Sequence, residues 1–386
     1  MNHFLVLGAG KMGIVLANDL LDSGSDNKVT LVDIDFEALK RAKDFIQNDR
    51  LETLQRNIED KAQRDSILEG KDVVLCALLH RHSLMVLESA VRYGVHFLDL
   101  AGEKILERLE YDEDAQRKAI AVITGCGVSP GITNACVGRG LHLLDETENA
   151  VVYVGGNPLH PKPPLSYRIV YSLDSLLNFY ERKALIIKDG RLAKVPALSA
   201  LEPIAFSDPF REMECFYTDG LNSMTTTMKG KIKGELAEKT IRHKGHIQGI
   251  NTLKECGLFS SEPVEVGDRH IIPRKVLEAL LNTKMNLGND QDVTLLRIIV
   301  SGIKDGRRTI HTFEMEDYYD SEKHFTSMAK TTSFPASIMA QMVLSGDIEK
   351  RGVFFPEDVL SGALFEPFMQ SLKSRGVVVS QRVTHE

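Results

Sequence analysis

A glycine-rich turn near the N-terminus constrains this chain more than any other feature. The apolar run at residues 4–7 predicts a buried strand, and the turn at 8–13 follows it directly. Apolar residues then recur at helical spacing over 14–21, which predicts a helix. A second apolar strand, 29–32, ends at Asp33, 20 residues after the last glycine of the turn. Together these features predict a Rossmann-type dinucleotide-binding unit.

Each glycine of the turn has its own part in holding a dinucleotide. Gly8 permits a tight turn, Gly10 lets a pyrophosphate approach the backbone, and Gly13 lets the helix pack on the strand. Free N–H groups at the helix N-terminus, where Lys11 and Met12 lie, bind the anion. We therefore assign these five residues to cofactor binding.

The acidic residue at the end of the second strand predicts which dinucleotide binds. A carboxylate at Asp33 can bond both ribose hydroxyls of NAD. The same carboxylate would repel the 2′-phosphate of NADP, and no arginine immediately follows it. The predicted cofactor is therefore NAD.

Strands and helices continue to alternate as far as about residue 145. Further apolar strands are predicted at 72–76, 96–98 and 119–123, with helices at 84–93 and 110–118. This alternation predicts an α/β fold with a doubly wound parallel sheet over residues 1–145. Ligands bind outside the carboxyl ends of such strands. These ends add five residues to the predicted cofactor site, namely Cys76, Ala77, Leu78, Gly127 and Val128.

The pattern changes beyond this unit. Residues 151–154 predict a strand closed by Gly155 and Gly156, and long strands follow at 293–300 and 309–315. These features predict an inserted α+β domain over 146–330, with a mostly antiparallel sheet. Residues 331–386 predict a C-terminal helical segment, with Pro335 near the start of a helix.

Charge and composition narrow the classes of partner. The formal net charge is −7, so the chain lacks the basic excess that nucleic-acid binding requires. No apolar run reaches the roughly 18 residues needed to cross a bilayer, so no membrane partner is expected. The five cysteines are scattered and form no CxxC pair, which is typical of reduced thiols and predicts a cytoplasmic protein.

Five sequence blocks resemble the saccharopine dehydrogenase-like family, and most closely its L-lysine 6-dehydrogenase branch. They are residues 6–13, 95–102, 125–131, 153–158 with 163–167, and 240–246. The resemblance implies oxidation of an amine carbon by NAD or NADP and a homo-oligomer, dimer or higher, built through the inserted domain. It also implies that the tail folds back onto the N-terminal domain. Asn57 corresponds to a residue near the adenine, and Gly156 lies in a substrate-binding block.

The function that this resemblance implies is NAD-dependent oxidative deamination of the ε-amino group of L-lysine. The product is the 6-semialdehyde, which cyclises to piperideine-6-carboxylate, and ammonia is released. The alternatives are a reductase of the saccharopine or carboxynorspermidine dehydrogenase type, and a non-catalytic NAD-binding protein.

Amine oxidation needs a base, because only a neutral amine can expel the hydride. Asp99 ends a strand and is our first candidate to hold the substrate ammonium, with Glu103 as the second. The alternative for Asp99 is a cap on the following turn. His80 is a candidate base or nicotinamide contact, and the alternative is a plain loop residue. The sequence does not determine which group is the base.

Residues of the inserted domain are expected to bind the rest of an amino-acid substrate. The guanidinium of Arg242 suits a bidentate clamp on the α-carboxylate, with a surface strand cation as the alternative. Tyr167 follows a proline pair and can bond the substrate. The loose histidine pairs 80/82 and 243/246 lack the ligands that would complete a tetrahedral set, so no metal site is predicted.

Overall fold

The structure is a computed structural model that describes residues 2–170, 173–288 and 290–386. Residues 2–143 alternate between strands and helices. The strands are β1 (Asn2–Leu7), β2 (Asn27–Asp33), β3 (Leu51–Gln55), β4 (Val73–Cys76), β5 (His96–Asp99) and β6 (Ala121–Ile123). The helices are α1 (Lys11–Asp22), α2 (Phe36–Ile46), α3 (Lys61–Ser66), α4 (His80–Tyr93), α5 (Ile105–Leu109), α6 (Asp112–Arg117) and α7 (Ile132–Leu143).

Strands dominate residues 146–318. They are β7 (Glu146–Pro158), β8 (Ala184–Lys188), β9 (Arg191–Val195), β10 (Glu202–Ile204), β11 (Met213–Tyr217), β12 (Leu236–His243), β13 (Val264–Val266), β14 (Arg269–Ile271), β15 (Asp292–Lys304) and β16 (Arg307–Tyr318). The helices among them are α8 (Leu173–Phe179), α9 (Met224–Thr227), α10 (His246–Glu255) and α11 (Pro273–Lys284). The rest of the chain forms α12 (Ser327–Ser345), β17 (Gly352–Phe354), α13 (Pro356–Val359), α14 (Phe365–Ser374) and β18 (Ser380–His385).

The first sheet is parallel, with the strand order β17-β6-β5-β4-β1-β2-β3. Its interior strand β1 is at most 1% exposed over residues 4–7. Helices on both faces of a parallel sheet leave no solvated side, which explains the continuous apolar run. The predicted Rossmann-type α/β fold is confirmed.

The second sheet runs β10-β11-β12-β7-β15-β16-β18, with β8 and β9 attached through β12. Among the strand pairs of this sheet in the described residues, only β12–β7 is parallel, so the prediction of a mostly antiparallel sheet is confirmed. The predicted end of β7 at Gly155 and Gly156 is wrong. The strand continues to Pro158 because β15 pairs with it as far as Asp292.

The C-terminal segment contacts both sheets. Helix α12 packs against α1, β17 extends the parallel sheet beside β6, and β18 pairs with β16. The segment is therefore not purely helical. Pro335 lies inside α12 rather than near its start, and its missing N–H removes one bond of the helix. Among the described residues, no helix is long and apolar enough to cross a membrane.

Candidate active site

The glycine turn joins the carboxyl end of β1 to the N-terminus of α1. Gly8 has a φ of 102°, and its N–H donates to the Val32 carbonyl at 2.8 Å. A Cβ atom on Gly13 would lie 1.7 Å from the Gly8 carbonyl oxygen, so α1 packs this closely only with glycine there. A Cβ atom on Gly10 would meet nothing within 4 Å. The open face at Gly10 and the free N–H groups of α1 fit a dinucleotide phosphate.

The carboxylate of Asp33 is held beside this turn. Its Oδ2 accepts the Ala9 N–H at 2.7 Å, and its Oδ1 accepts the Asp35 N–H at 2.9 Å. Asn57 follows the neighbouring strand β3, and its side-chain oxygen accepts the Glu59 N–H at 3.0 Å. The contacts of these two side chains with ribose and adenine stay predictions.

A cavity of about 470 Å³ opens beside the turn, and we call it the inter-sheet cavity. Seven of the predicted cofactor residues line it, namely Gly10, Lys11, Met12, Ala77, Leu78, Gly127 and Val128. Side chains from the second sheet and its loops line the opposite wall, namely Arg182, Asp219, Glu238, Thr240 and Arg242. The cavity therefore joins the glycine turn to polar groups of the second sheet.

Cys76 does not line the cavity. Its side chain is 2% exposed and packs in the hydrophobic core beside the parallel sheet. Burial raises the pKa of its thiol to about 12. Because the strand alternates its faces, Ala77 reaches the cavity and Cys76 does not. The prediction that Cys76 contacts the cofactor is therefore not supported by the structure.

Asp99 also lies away from the inter-sheet cavity. The side chain is 1% exposed, and its Oδ2 accepts bonds from the Arg108 guanidinium at 2.6 Å and from the Ser83 hydroxyl. Its Oδ1 accepts the Gly125 N–H at 3.0 Å. These partners leave Asp99 no access to a substrate in this structure. The structure does not support our first choice of substrate carboxylate. It does not show the predicted cap on the following turn either, because the backbone N–H that bonds Oδ1 belongs to Gly125, after β6.

His80 and Glu103, in contrast, both line the cavity. His80 is the first residue of α4, and its Nε2 lies 3.6 Å from Glu103 Oε2. The other oxygen of Glu103 lies 3.6 Å from Arg182 Nη1, and Arg182 Nε binds Asp219 Oδ2 at 2.8 Å. This row of ionisable side chains runs along the cavity from His80 to Asp219. The sequence analysis missed Arg182 and Asp219.

Arg242 lies in the opposite wall, and its side chain is buried rather than on a strand surface. Its Nε donates to the Tyr180 hydroxyl at 3.0 Å, and its Nη1 donates to the Ile241 carbonyl at 2.8 Å. The Tyr180 hydroxyl also meets His246 Nε2 at 2.9 Å. Burial lowers the pKa of His246 to about 3, so this histidine is neutral. The Arg242 side chain is thus held by Tyr180 and by the backbone, and Arg242 lines the cavity.

The other two predicted substrate residues differ in position. Gly156 lines the cavity, and a Cβ atom there would lie 2.2 Å from Met328 Cε. Tyr167 is 0% exposed and does not line the cavity. Its ring lies 4.6 Å below the Arg242 guanidinium, which is cation–π distance. The prediction of a direct Tyr167 contact with substrate is not supported, and Tyr167 instead supports Arg242.

The sequence analysis missed Glu238 altogether. This residue lies on β12 in the cavity wall, is 2% exposed, and its Oε2 accepts the Ser129 hydroxyl at 2.5 Å. The available signal was periodicity, because Glu238, Thr240 and Arg242 are polar residues at alternate positions of a strand. Such positions share one face, and here that face lines the cavity.

The loose histidine pairs have other partners. His82 Nδ1 lies 3.6 Å from Glu59 Oε1, and His243 Nε2 lies 3.0 Å from the Pro158 carbonyl. In the part of the chain that the structure describes, no three His, Cys, Asp or Glu side chains are grouped as a metal site requires.

Comparison with protein-family models matches nearly the whole chain. The model described as the saccharopine dehydrogenase NADP binding domain matches residues 4–123, and that of the saccharopine dehydrogenase C-terminal domain matches residues 127–377. The chain belongs to the saccharopine dehydrogenase family. The resemblance seen in the five sequence blocks is thereby confirmed at the level of the family.

Individual members of the saccharopine dehydrogenase family are distant in sequence. A Pyricularia oryzae protein named saccharopine dehydrogenase [NADP(+), L-glutamate-forming] is 22% identical, with 98% of each chain covered. The mitochondrial alpha-aminoadipic semialdehyde synthase of Rattus norvegicus is 23% identical over 98% of this chain, which spans about half (48%) of that protein. The apo saccharopine dehydrogenase (L-Glu forming) of Saccharomyces cerevisiae has the same fold, with a TM-score of 0.82, 19% identity and full coverage of both chains.

Proposed function

We propose that this chain is a pyridine-nucleotide oxidoreductase that deaminates the ε-amino group of L-lysine to the 6-semialdehyde. Ammonia is released, and the aldehyde cyclises to piperideine-6-carboxylate. The proposal rests on one observation, namely that the inter-sheet cavity contains both the open glycine turn and the buried cation Arg242. A cofactor on the turn and a substrate carboxylate on Arg242 would therefore share one space.

The residues around the turn fit a dinucleotide. Gly10 leaves its face open, the N–H groups at the start of α1 suit the pyrophosphate, and Asp33 suits the ribose. When bound, an oxidised nicotinamide accepts a hydride from the amine carbon. We propose NAD in particular, because the Asp33 carboxylate would repel a 2′-phosphate. The Pyricularia relative is named for NADP(+), so the choice needs a direct test.

On the substrate side, we propose that Arg242 clamps the α-carboxylate and that Gly156, which also lines the cavity, contacts the substrate. His80 and Glu103 remain candidates for contacts at the reacting end, because both line the cavity. We also propose that the chain consists of three parts, with boundaries at residues 145/146 and 330/331. We further propose that the protein forms a homo-oligomer and is cytoplasmic.

A second candidate, saccharopine oxidation, is favoured by the names of the matched relatives. One panel separates the two reactions. The purified protein is incubated with NAD⁺ or NADP⁺ and with L-lysine, saccharopine or other amino acids, and reduced nicotinamide and free ammonia are both measured. Lysine oxidation yields ammonia together with reduced nicotinamide. Saccharopine oxidation yields an amino acid in place of ammonia. Cofactor binding without turnover on any amine would contradict both.

A further inference from the structure

A buried carboxyl group in the cavity wall has no role in the function proposed so far. Glu238 is 2% exposed, and its neighbours define where each of its oxygens lies. Oε2 accepts the Ser129 hydroxyl, and Ser129 Oγ in turn accepts a bond from Thr133 Oγ1 at 3.0 Å. Oε1 lies against Gly220, where a Cβ atom would come within 1.7 Å of it. The Ser129 hydrogen bond thus orients one oxygen of the carboxyl group. Gly220, which also lines the cavity, leaves space for the other oxygen.

We propose that the Glu238 carboxylate accepts the proton that the substrate ammonium must lose before its carbon is oxidised, an inference that rests on the proposed function. In this step an N–H bond of the ammonium breaks and the proton bonds to a Glu238 oxygen. The nitrogen keeps the electron pair, which later expels the hydride as the carbon–nitrogen double bond forms. Glu238 thereby becomes a neutral acid and the amine becomes neutral, so charge balances.

Glu238 and Arg242 lie four residues apart on one face of β12, with Thr240 between them, and all three residues line the cavity. A substrate with its carboxylate on Arg242 and its amine at Glu238 would lie along this strand. A primary ω-amine with an α-carboxylate is therefore the class of substrate that we propose for this pair.

The electrostatic surroundings suit a base that works near neutrality. Burial raises the pKa of Glu238 to about 7, the Ser129 hydrogen bond opposes this shift, and the negative charge of Asp219 adds to it. The other charged or titratable groups that face the cavity are Arg182, which pairs with Asp219, and Glu103, His80, Lys11 and Arg242. A general base is most effective when its pKa lies near the working pH.

The test compares the wild type with Glu238→Gln and Glu238→Asp at pH 8. Glutamine keeps the shape and an acceptor for Ser129 but cannot take a proton, so we expect kcat with L-lysine to fall about 100-fold or more. Aspartate can take the proton and should recover part of the loss. Glu235→Gln is the matched control, because Glu235 lies just before the same strand, bonds Tyr217 and does not line the cavity. Melting temperatures show whether each variant is folded.

A second readout does not depend on turnover. L-lysine is titrated calorimetrically into protein saturated with NADH at pH 6, in two buffers of different ionisation enthalpy. Binding the ammonium should drive the proton off Glu238, so the wild type and Glu238→Asp release a proton and Glu238→Gln does not. An active wild type with a Glu238→Gln variant within threefold of its kcat would overturn the role of Glu238 and leave the proposed function standing. A folded wild type that oxidises no amine would overturn the proposed function, and this inference with it.

Discussion

The carboxylate of Asp99 and the guanidinium of Arg108 form a buried ion pair, 2.6 Å apart, with both side chains 1% exposed. Arg108 belongs to α5. Its Nη2 also donates to the Ser83 hydroxyl of α4 at 3.0 Å. The pair therefore links the end of β5 to α4 and α5. This arrangement is structural, and it predicts the result of removing either partner.

We expect Arg108→Ala to lower the free energy of unfolding by about 3–5 kcal/mol, because it leaves a buried carboxylate unpaired. Asp99→Ala should lower the free energy of unfolding by a similar amount, because it leaves the buried Arg108 guanidinium unpaired. Denaturant titration measures both losses. Arg117→Ala, which breaks the exposed ion pair with Asp114, is the control and should change stability by less than about 1 kcal/mol. An Asp99→Ala variant of normal stability that has lost kcat would show instead that Asp99 touches substrate.

The two glycines of the turn should respond differently to substitution. Gly10→Val has open space for its side chain and an ordinary φ of −79°, so the variant should fold with a melting temperature near that of the wild type. It should bind NAD at least about tenfold more weakly, a loss of roughly 1.4 kcal/mol, because the side chain occupies the phosphate face. Gly13→Ala should destabilise the fold itself, since its Cβ atom meets the Gly8 carbonyl. Equal NAD affinity in folded Gly10→Val would place the phosphate elsewhere.

Cofactor choice should depend on Asp33. Replacing it with serine removes the ribose acceptor and the repulsion of a 2′-phosphate. We expect the ratio of NADP to NAD affinity to rise by about tenfold or more, equivalent to about 1.4 kcal/mol. Fluorescence titration with both reduced cofactors measures the ratio. Asp35→Ser is the neighbouring control, because Asp35 caps α2 through the Glu37 N–H. An unchanged ratio in Asp33→Ser would mean that Asp33 does not contact the ribose.

Arg242 should act on substrate affinity rather than on the chemical step. A carboxylate clamp remote from the reacting carbon holds the ground state and the transition state alike. Arg242→Lys keeps the charge but loses the planar fork, so KM for L-lysine should rise about 10- to 100-fold while kcat changes little. Steady-state kinetics at saturating NAD provide the measurement, and NAD affinity is the internal control. A fall in kcat at unchanged KM would argue against the clamp.

Burial of Glu238 should make stability depend on pH. Its pKa rises from 4.5 to about 7 on folding, so between these values the native state binds more protons than the unfolded state. The contribution of Glu238 to the free energy of unfolding is therefore largest below about pH 4.5. It falls as the pH rises to about 7, by up to about 1.4 kcal/mol per pH unit. Glu238→Gln removes the dependence. We therefore expect its melting temperature, relative to the wild type, to be higher at pH 8 than at pH 5 by about 2 °C or more. Glu235→Gln should show no such difference. If the melting temperature of Glu238→Gln differed from that of the wild type by the same amount at pH 5 and pH 8, the raised pKa of Glu238 would be contradicted.

Local sequence was sufficient for the dinucleotide-binding half of the fold. A glycine turn between an apolar strand and an amphipathic helix is defined by neighbouring residues, because Gly8, Gly10 and Gly13 meet steric demands within one short segment. The same holds for Asp33. One of its partners, Ala9, belongs to the glycine turn, and the other, Asp35, lies two residues after Asp33 itself. These features could be predicted because they depend only on the hydrophobic period of the strand and helix and on the spacing of the glycines and Asp33.

Only the tertiary structure decided which polar residues reach the cavity. Asp99 and Glu238 are both acidic residues on strands. The alternation of polar residues around Glu238 predicts a shared polar face, but it does not show which of the two carboxylates is paired with a cation. Arg108 folds over the first, whereas Ser129 and Gly220 leave the second at the cavity wall. Tyr167 likewise supports Arg242 from behind because β12 and the loop after β7 meet only in the folded chain. Whether a buried charge is paired or available depends on side chains distant in sequence, and therefore on packing rather than on pattern.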